Sequence, residues 1–294
     1  MADRPPVDGF ILGLPKCGTT WLAEILSQNP SISFSSPKEP NILASHRGTF
    51  GRHDDNPDFG EYNEVFEGDG FRIDGSIHAF SCPKAPMRVL DVNPDARFVV
   101  CLREPVERAF SHWKMVRDTG ADRTHGADWS EFSIAWEDQR LRDDSIWSVS
   151  MARWLGVFEK DRFLCVDSAR MRSEPEEVLD EITSHLFLDQ FEYDCKIEVN
   201  ANLATKRRRS TLLGRCMKSL IGLIPGSLRG KLAGPLQRRS LNIYNLPIIS
   251  RRGEVSILGR EHYRICQREV VPDLERFEEI TGFSTGHWLE VFDL

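Results

Sequence analysis

The residues with the clearest chemical signature lie near the N-terminus, in a short loop between two apolar segments. Gly13 and Gly18 bracket the loop, Lys16 lies inside it, and the hydroxyl residues Thr19 and Thr20 follow. Backbone N–H groups in a loop of this kind converge on an anion, and the positive end of the following helix points at the same place. The pattern predicts a strand, a phosphate-binding loop and a helix.

The position of the lysine indicates which kind of phosphate loop this is. A nucleotide kinase needs G-x-x-x-x-G-K-[ST], but Thr19 occupies the place of that lysine, and the lysine of this chain lies inside the loop. The string Pro-Lys-Cys-Gly-Thr-Thr-Trp-Leu closely resembles the 5′-phosphosulfate loop of sulfotransferases that use 3′-phosphoadenosine 5′-phosphosulfate (PAPS). The resemblance implies that Lys16 reaches the oxygen bridging the phosphate and sulfuryl groups. It also implies a cofactor contact for the whole loop, namely Pro15, Lys16, Cys17, Gly18, Thr19, Thr20 and Trp21.

A second pattern begins with an apolar run of strand length that ends at Arg103. Pro105 suits the first turn of a helix, which places Ser111 about two turns along it. The arrangement is similar to the 3′-phosphate site of the same family, and the resemblance implies that Arg103 and Ser111 bind that phosphate. Arginine suits this role because its planar fork can donate two hydrogen bonds to one phosphate.

Two residues are candidates for the base that deprotonates the acceptor. Glu39 lies in a Lys38-Glu39-Pro40 triplet similar to that of heparan-type and many bacterial sulfotransferases, in which this glutamate is the catalytic base and the lysine lies close to the reacting groups. His78 is the alternative, because cytosolic sulfotransferases use a histidine in roughly this region and imidazole titrates near neutrality. The acceptor is expected to contact Lys38, Ser76 and His78.

The segment Asp74-Gly75-Ser76-Ile77 departs from the family pattern. Heparan-type relatives tend to read Glu-Lys-[Ser/Thr]-Pro here, so the lysine and the proline are missing from this chain. The departure leaves the contacts on the acceptor side open, and with them the choice between sugars, lipids, phenols and nitrogenous natural products.

Positive charge is concentrated late in the chain. Residues 199–253 carry twelve Lys or Arg and no Asp or Glu, so a formal charge of +12 there leaves the difference from −7, which is −19, for the remainder. This asymmetry indicates an anionic partner, with the cofactor, an anionic acceptor, a lipid surface and nucleic acid as the candidates. Residues 200–210 resemble the late loop that closes over the nucleotide in the family. We therefore expect the cluster Lys206, Arg207, Arg208 and Arg209 to bind the cofactor, with Arg208 or Arg209 on a phosphate, and we expect no nucleic-acid partner.

The elements that must position these residues follow from hydrophobic spacing. Strands are expected over 94–102 and 162–167, and helices over 130–141, 148–159, 174–182 and 263–280, with a terminal packing element around Trp288. His112, beside Ser111, is expected on a helix surface. Strands alternating with helices predict an α/β fold with a central, mostly parallel sheet, and a ligand at the carboxyl ends of the strands. This is the P-loop NTPase-like fold that the resemblance also implies.

Length and composition fit one enzyme domain over residues 1–294, with a short tail at 1–8 and the basic segment 200–253 inside the domain. The hydrophobic fraction of 40% is ample for a core. Seven cysteines without C-x-x-C spacing favour reduced thiols. With no signal-peptide pattern and no apolar run of membrane-spanning length, a cytoplasmic location is expected. The sequence does not indicate an oligomeric state.

Together these residues predict a PAPS-dependent sulfotransferase that acts on a hydroxyl or amine of a carbohydrate or small-molecule acceptor and releases adenosine 3′,5′-bisphosphate. A sulfuryl group carries less negative charge than a phosphoryl group, so no bridging metal is expected. Two other classes stay open. They are a P-loop nucleotide kinase-like phosphotransferase and a nucleotide-binding module without catalysis.

Overall fold

The computed structural model describes residues 6–53, 55–196, 208–210, 250–252 and 256–293. The chain divides into two compact units. The first consists of Met1–His112, Glu131–Ala201 and Leu258–Leu294, and the second of Trp113–Ser130 and Asn202–Ile257.

The first unit is built on a five-stranded sheet in which every neighbouring pair of strands is parallel. Its strands are β1 (Gly9–Gly13), β2 (Ile32–Phe34), β5 (Phe71–Asp74), β6 (Arg97–Leu102) and β7 (Phe163–Asp167), in the spatial order β2-β5-β1-β6-β7. A separate two-stranded hairpin pairs β3 (His46–Arg47) with β4 (Gly51–Arg52). The α/β class and the parallel sheet expected from the sequence are confirmed.

Helices lie between the strands of the sheet and after its last strand, β7. In chain order they are α1 (Thr19–Leu26), α2 (Tyr62–Val65), α3 (Ala85–Val92), α4 (Pro105–Thr119), α5 (Ala121–Thr124), α6 (Phe132–Glu137), α7 (Gln139–Asp143), α8 (Ser148–Leu155), α9 (Arg170–Ser173), α10 (Pro175–His185), α11 (Arg260–Thr281) and α12 (Gly286–Leu289). Short 3₁₀ turns cover Phe59–Glu61, Ile77–Ala79, Lys160–Arg162 and Glu290–Phe292.

The two middle strands of the sheet, β1 and β6, show at which edge a ligand is expected. We call this edge, at the carboxyl ends of the parallel strands, the ligand edge. Strands β1 and β6 are almost wholly buried, as expected for apolar runs covered on both faces, and they pair from Gly9 with Arg97 to Gly13 with Cys101. Because the strands are parallel, the segments that follow β1, β5 and β6 leave from the same edge. These are the segments that carry the candidate functional residues.

Aromatic side chains fill the core of the first unit. Phe98 on β6 lies 5.8 Å from Phe10, 4.6 Å from Phe163 and 5.1 Å from Trp154, measured between ring centroids. Trp288 is buried in contact with Trp147, with ring centroids 5.5 Å apart, which fits the packing element expected near the C-terminus. Large aromatic surfaces removed from water in this way fix the helices against the sheet.

The prediction of a single helix over 130–141 is wrong in one respect, because the structure has two helices there, α6 and α7. The break falls at Asp138, whose side chain accepts the N–H of Arg140 and so caps the start of α7. An aspartate prefers to cap a helix start rather than to lie in a helix interior, because its carboxylate accepts backbone N–H groups.

In the second unit, Trp113 donates its indole N–H to the carbonyl of Trp129 at 2.8 Å. Two further strands, β8 (Arg208–Ser210) and β9 (Ser250–Arg252), pair antiparallel. The expected cofactor contacts Lys206 and Arg207 lie outside the described residues, as do the side chains of Arg208 and Arg209. Within the described part of the chain, no helix is long and apolar enough to cross a membrane. The cytoplasmic location stays a prediction.

Candidate active site

The loop between β1 and α1 has the backbone shape expected of an anion cradle. Lys16 and Gly18 both adopt left-handed conformations, with φ of +82° and +86°. Gly18 is the residue before α1, and no side chain caps the helix there, so the first N–H groups of α1 are left without a side-chain acceptor. Such a turn directs successive N–H groups and the positive end of the helix toward one point. Thr19, Thr20 and Trp21 form the first turn of α1 beside it.

Two buried side chains, those of Arg108 and Cys17, hold the loop between β1 and α1 in place. Arg108 on α4 has no exposed surface, and it donates to the carbonyl of Pro15 at 3.2 Å and to the hydroxyl of Ser145 at 2.7 Å. Cys17 is also fully buried, and burial raises the pKa of its thiol to about 12, so that it stays protonated. Arg108 was not singled out from the sequence, although it lies in the same motif as Arg103, five residues further on.

The Lys38-Glu39 pair lies beside the loop. The Nζ atom of Lys38 is 3.0 Å from Oε1 of Glu39 and 3.4 Å from Oγ1 of Thr19. Both side chains keep access to solvent, with 22% and 33% of their surfaces exposed. A carboxylate, an ammonium group and the first turn of α1 therefore meet at one place.

A chain of hydrogen bonds fixes the turn that carries Glu39. Asn41 donates its side-chain amide to the Glu39 carbonyl and its backbone N–H to the hydroxyl of Ser76, both at 2.8 Å. The N–H of Ser76 donates to Asp74 at 2.7 Å, and Tyr62 donates its hydroxyl to the other oxygen of that carboxylate at 2.7 Å. Burial raises the pKa of Asp74. Ser76, a predicted substrate contact, has its hydroxyl buried and occupied in this network.

Arg103 directly follows the last residue of β6 and extends toward the same loop. Its Nη1 atom donates to the carbonyl of Lys16 at 3.4 Å, while Nε and Nη2 donate to Oε2 of Glu107 at 3.2 and 3.0 Å. Ser111 lies half-buried on α4, eight residues after Arg103. The structure thus brings the second motif to the first, as expected from the parallel order of β1 and β6.

The start of α4 is closed by Glu104. Its carboxylate accepts the N–H of Val106 at 2.9 Å and that of Glu107 at 2.7 Å, and it also accepts the hydroxyl of Tyr263 at 3.3 Å. Burial raises the pKa of Glu104 to about 7, partly offset by the two backbone hydrogen bonds. Sequence reasoning did not single out Glu104 or Glu107.

His78, the alternative base, lies in the 3₁₀ turn Ile77–Ala79 and is 6% exposed. Its Nδ1 atom is buried without a hydrogen-bond partner. Burial lowers the pKa of this imidazole, against the opposing charges of Asp144 and Glu39, so the ring is neutral at pH 7. A proton acceptor is available there, but it is far less exposed than the carboxylate of Glu39.

The expectation for His112 is wrong, because this residue is fully buried rather than on a helix surface. Its Nδ1 lies 3.1 Å from Nη1 of Arg108, which can only donate, so the ring proton is on Nε2 and bonds to Oγ1 of Thr49 at 2.7 Å. Burial lowers the pKa of His112 well below its usual value. The apolar neighbours Phe110 and Trp113 could not reveal from sequence which side of α4 faces inward at this position.

Comparison with known proteins agrees with this geometry. The sulfotransferase domain family matches residues 6–193, and the chain belongs to this family. A crystal structure of a sulfotransferase from Alicyclobacillus acidocaldarius has the same fold, with a TM-score of 0.56 at 20% identity over 98% of this chain and 100% of that chain.

Curated relatives are larger proteins. A bifunctional heparan sulfate N-deacetylase/N-sulfotransferase 4 from Mus musculus is 25% identical over 193 residues, which is 60% of this chain and 22% of that protein. A bifunctional heparan sulfate N-deacetylase/N-sulfotransferase 1 from Caenorhabditis elegans is 24% identical over 76% of this chain and 28% of its own length. The chain thus spans between a fifth and a third of the length of these relatives.

Proposed function

We propose that this chain transfers the sulfuryl group of PAPS to a hydroxyl or amine of a carbohydrate or small-molecule acceptor, with Glu39 as the base. The observation that carries the proposal is the position of Lys38, whose ammonium group lies within 3.4 Å of both Thr19 in the phosphate loop and Glu39. A proton acceptor is thereby held beside the place where the loop would hold the phosphosulfate. Membership of the sulfotransferase domain family supports the reaction class.

The residues present fit this cosubstrate. The left-handed Lys16 and Gly18 and the uncapped start of α1 offer backbone donors to its 5′-phosphate, and Lys16 carries the positive charge needed where the leaving oxygen gains charge. Arg103 and Ser111 would hold the 3′-phosphate. PAPS supplies an activated sulfuryl group, and the task of this chain is to orient it and to neutralise the charge on the departing phosphate.

Glu39 fits the role of base better than His78. The acceptor must lose a proton as it attacks sulfur in line, so the base has to be reachable by a molecule that enters from solvent. One third of the Glu39 side chain is exposed, whereas His78 is 6% exposed and its Nδ1 is fully buried. The turn around Glu39 is also fixed through Asn41 and Ser76, which limits the geometries that the carboxylate can adopt.

The acceptor class is supported only in outline. The relatives named for heparan sulfate favour an amine or hydroxyl of a carbohydrate. Gly75 is tightly enclosed, since a Cβ there would lie 2.6 Å from the carbonyl oxygen of Lys38. A side chain at this position would need a shift of the Lys38 turn, so this chain presents a different acceptor surface from the pattern Glu-Lys-[Ser/Thr]-Pro.

The first experiment is calorimetric titration with adenosine 3′,5′-bisphosphate and, in parallel, with ATP, both without added metal, followed by a titration of ATP in the presence of Mg²⁺. Binding of the bisphosphate, weaker binding of ATP and a loss of bisphosphate affinity in Lys16→Ala would support the proposal. If ATP binds only with Mg²⁺ and the bisphosphate fails to bind, the chain is a kinase-like phosphotransferase instead.

The second experiment tests catalysis by screening hydroxyl and amine acceptors with ³⁵S-labelled PAPS. We expect Glu39→Gln to abolish most of the turnover while the bisphosphate still binds, and His78→Gln to keep it. The matched control is Glu24→Gln, an exposed glutamate on α1. Turnover that survives in Glu39→Gln but not in His78→Gln would move the base to His78. Binding of the bisphosphate without turnover of any acceptor would favour the non-catalytic module.

A further inference from the structure

Glu107 occupies one edge of the arginine that is proposed to receive the 3′-phosphate. Both Nε and Nη2 of Arg103 donate to the same oxygen of Glu107, at 3.2 and 3.0 Å, and Nη1 is directed to the Lys16 carbonyl at 3.4 Å. The two charged side chains are 26% and 41% exposed, so a ligand from solvent can reach the pair. Carboxylates and phosphates recognise the same fork of an arginine.

The start of α4, which lies next to Arg103, has few free backbone N–H groups to offer a phosphate. The N–H groups of Val106 and Glu107 at the start of α4 are already taken by the carboxylate of Glu104. The helix N-terminus, which otherwise attracts anions, is therefore filled by a carboxylate of the chain itself. A phosphate that approaches here must gain its binding free energy from side chains. Arg103 and Arg108 both contact the first loop, but Arg108 is fully buried, whereas Arg103 is open to solvent.

Glu107 then has two effects on an approaching phosphate. It neutralises Arg103, which reduces the attraction felt by any anion. It also places a negative charge in contact with the guanidinium that would bind the phosphate. A phosphate must therefore either displace Glu107 from Arg103 or bind beside it. Both routes cost free energy, because an ion pair must be broken in the first and two like charges must be held close together in the second, at positions only partly screened by solvent.

We propose that Glu107 is a specificity-determining residue that competes with the 3′-phosphate for Arg103. The proposal rests on the proposed function, in which Arg103 holds that phosphate. A doubly charged phosphate overcomes the competition, whereas a nucleotide without a 3′-phosphate gains nothing from Arg103. The same competition assists release of the bisphosphate product, because Glu107 restores the ion pair as the product leaves.

The test uses the full chain and calorimetry with two probes, adenosine 3′,5′-bisphosphate and adenosine 5′-monophosphate. In Glu107→Gln the amide oxygen still accepts from Arg103, so the arginine keeps its position while the competing charge is gone. We expect the bisphosphate to bind about three- to tenfold more tightly, since removal of one near like-charge contact has that scale. Affinity for the monophosphate should change less than twofold.

Three controls separate the causes. Glu107→Asp keeps the charge and should bind the bisphosphate within about twofold of the wild type, on the scale of exposed ion pairs. Glu24→Gln removes a charge elsewhere on the surface and should show no comparable gain. In an Arg103→Ala background, Glu107→Gln should give a smaller gain than in the wild type, since only the direct repulsion of the phosphate by Glu107 remains there and the competition needs the arginine.

Some results would overturn the proposal. Weaker or unchanged bisphosphate binding in a folded Glu107→Gln protein would mean that Glu107 positions Arg103 and does not compete. An equal gain for the monophosphate would mean a general effect of net charge. The wild-type titration keeps the two failures apart. If the wild type does not bind the bisphosphate, the proposed function fails and this proposal with it, whereas wild-type binding without the Glu107→Gln gain removes only the competition.

Discussion

Two helices begin at the ligand edge of the sheet, and their first turns are built in opposite ways. Helix α1 starts after Gly18, which has a left-handed backbone and no side chain to cap the helix. Helix α4 starts after Glu104, whose carboxylate accepts the N–H groups of Val106 and Glu107. One helix start leaves its donors to a ligand, and the other satisfies them within the chain.

Because the two helix starts differ, the 5′-phosphate and the 3′-phosphate of the proposed cosubstrate would be bound by different kinds of groups. At α1, backbone donors and the helix dipole would bind the group that reacts, where fixed dipoles stabilise charge without reorganising. At α4, the N–H groups of the first turn are already bonded to Glu104, so in the proposed function recognition of the 3′-phosphate would depend on the side chains of Arg103 and Ser111. Backbone recognition is insensitive to side-chain motion, whereas the arginine can be tuned by its neighbour Glu107.

The largest effect expected on the α1 side comes from Lys16→Ala. The variant removes the charge that we propose at the leaving oxygen, and loss of one such electrostatic contact lowers turnover by about 10²–10³-fold. The measurement is the rate of bisphosphate formation from PAPS with an acceptor found by screening. Lys84→Ala, on the exposed start of α3, is the control and should retain the wild-type rate. A loss of less than tenfold in Lys16→Ala would argue against a role at the leaving oxygen.

On the α4 side, Arg103→Ala should weaken binding of adenosine 3′,5′-bisphosphate by about 10- to 100-fold, because a hydrogen bond to a charged group contributes about 1.5–3 kcal/mol. Adenosine 5′-monophosphate should bind nearly as it does to the wild type. Titration calorimetry with both nucleotides measures this. An equal loss for both would place Arg103 on the 5′ side and would end the contrast between the two helix starts.

Gly18→Ala tests the open start of α1. A left-handed backbone costs about 1–2 kcal/mol for a residue with a Cβ, and here the Cβ would lie 3.3 Å from Cε of Met171. We expect a lower melting temperature together with weaker bisphosphate binding.

The matched control is Gly48→Ala, in the turn between β3 and β4. Gly48 has a φ of +70° and open space around its Cβ position. It should lose similar stability without any loss of bisphosphate affinity. Bisphosphate binding that is unchanged in Gly18→Ala would show that this backbone shape is not needed for the ligand.

The last prediction concerns the start of α4 that Glu104 closes, and its effect appears as a pH dependence of stability rather than as a change in ligand binding. Burial raises the pKa of Glu104 from 4.5 to about 7, so the folded protein holds this proton more tightly than the unfolded chain. The stability that comes from Glu104 is therefore complete below about pH 4.5 and is lost as the pH rises through 7. Urea unfolding at several pH values measures this. The free energy of unfolding should fall between pH 4.5 and 7 by more in the wild type than in Glu104→Gln.

The comparison between wild type and variant isolates this group from other titrating residues. His46 has its pKa lowered by burial to about 4, so its own contribution is lost in the opposite direction, as the pH falls. A wild-type curve that rises with pH relative to Glu104→Gln between 4.5 and 7 would contradict the assignment.

Much of the fold could be predicted because its signals are local. Apolar runs of strand length gave β1, β6 and β7 nearly at their observed bounds, and the helix at 263–280 was found as Arg260–Thr281, ended by Gly282 in a left-handed conformation. The break at Asp138 was missed, because a periodic apolar pattern continues through a residue whose capping role depends on its backbone shape.

The site divides in the same way. The resemblance of three short motifs to those of sulfotransferases singled out Lys16, Glu39 and Arg103, because each lies in or directly after a recognisable loop or strand. The partners of these residues could not be predicted. These contacts are the ion pair of Glu107 with Arg103, the hydrogen bond of Arg108 to the Pro15 carbonyl and that of the Ser76 N–H to Asp74. Each depends on which side of a helix or strand faces inward.

The sequence alone determined the class of a mostly parallel α/β fold, the phosphate-type loop with its displaced lysine, and the family, because these depend on residue types at short separations. Only the tertiary structure decided that α1 is open and α4 is closed, that Lys38 joins Glu39 to Thr19, and that His112 is buried against Thr49. Such contacts join residues far apart in the chain. Their formation depends on packing and desolvation, which no local pattern records.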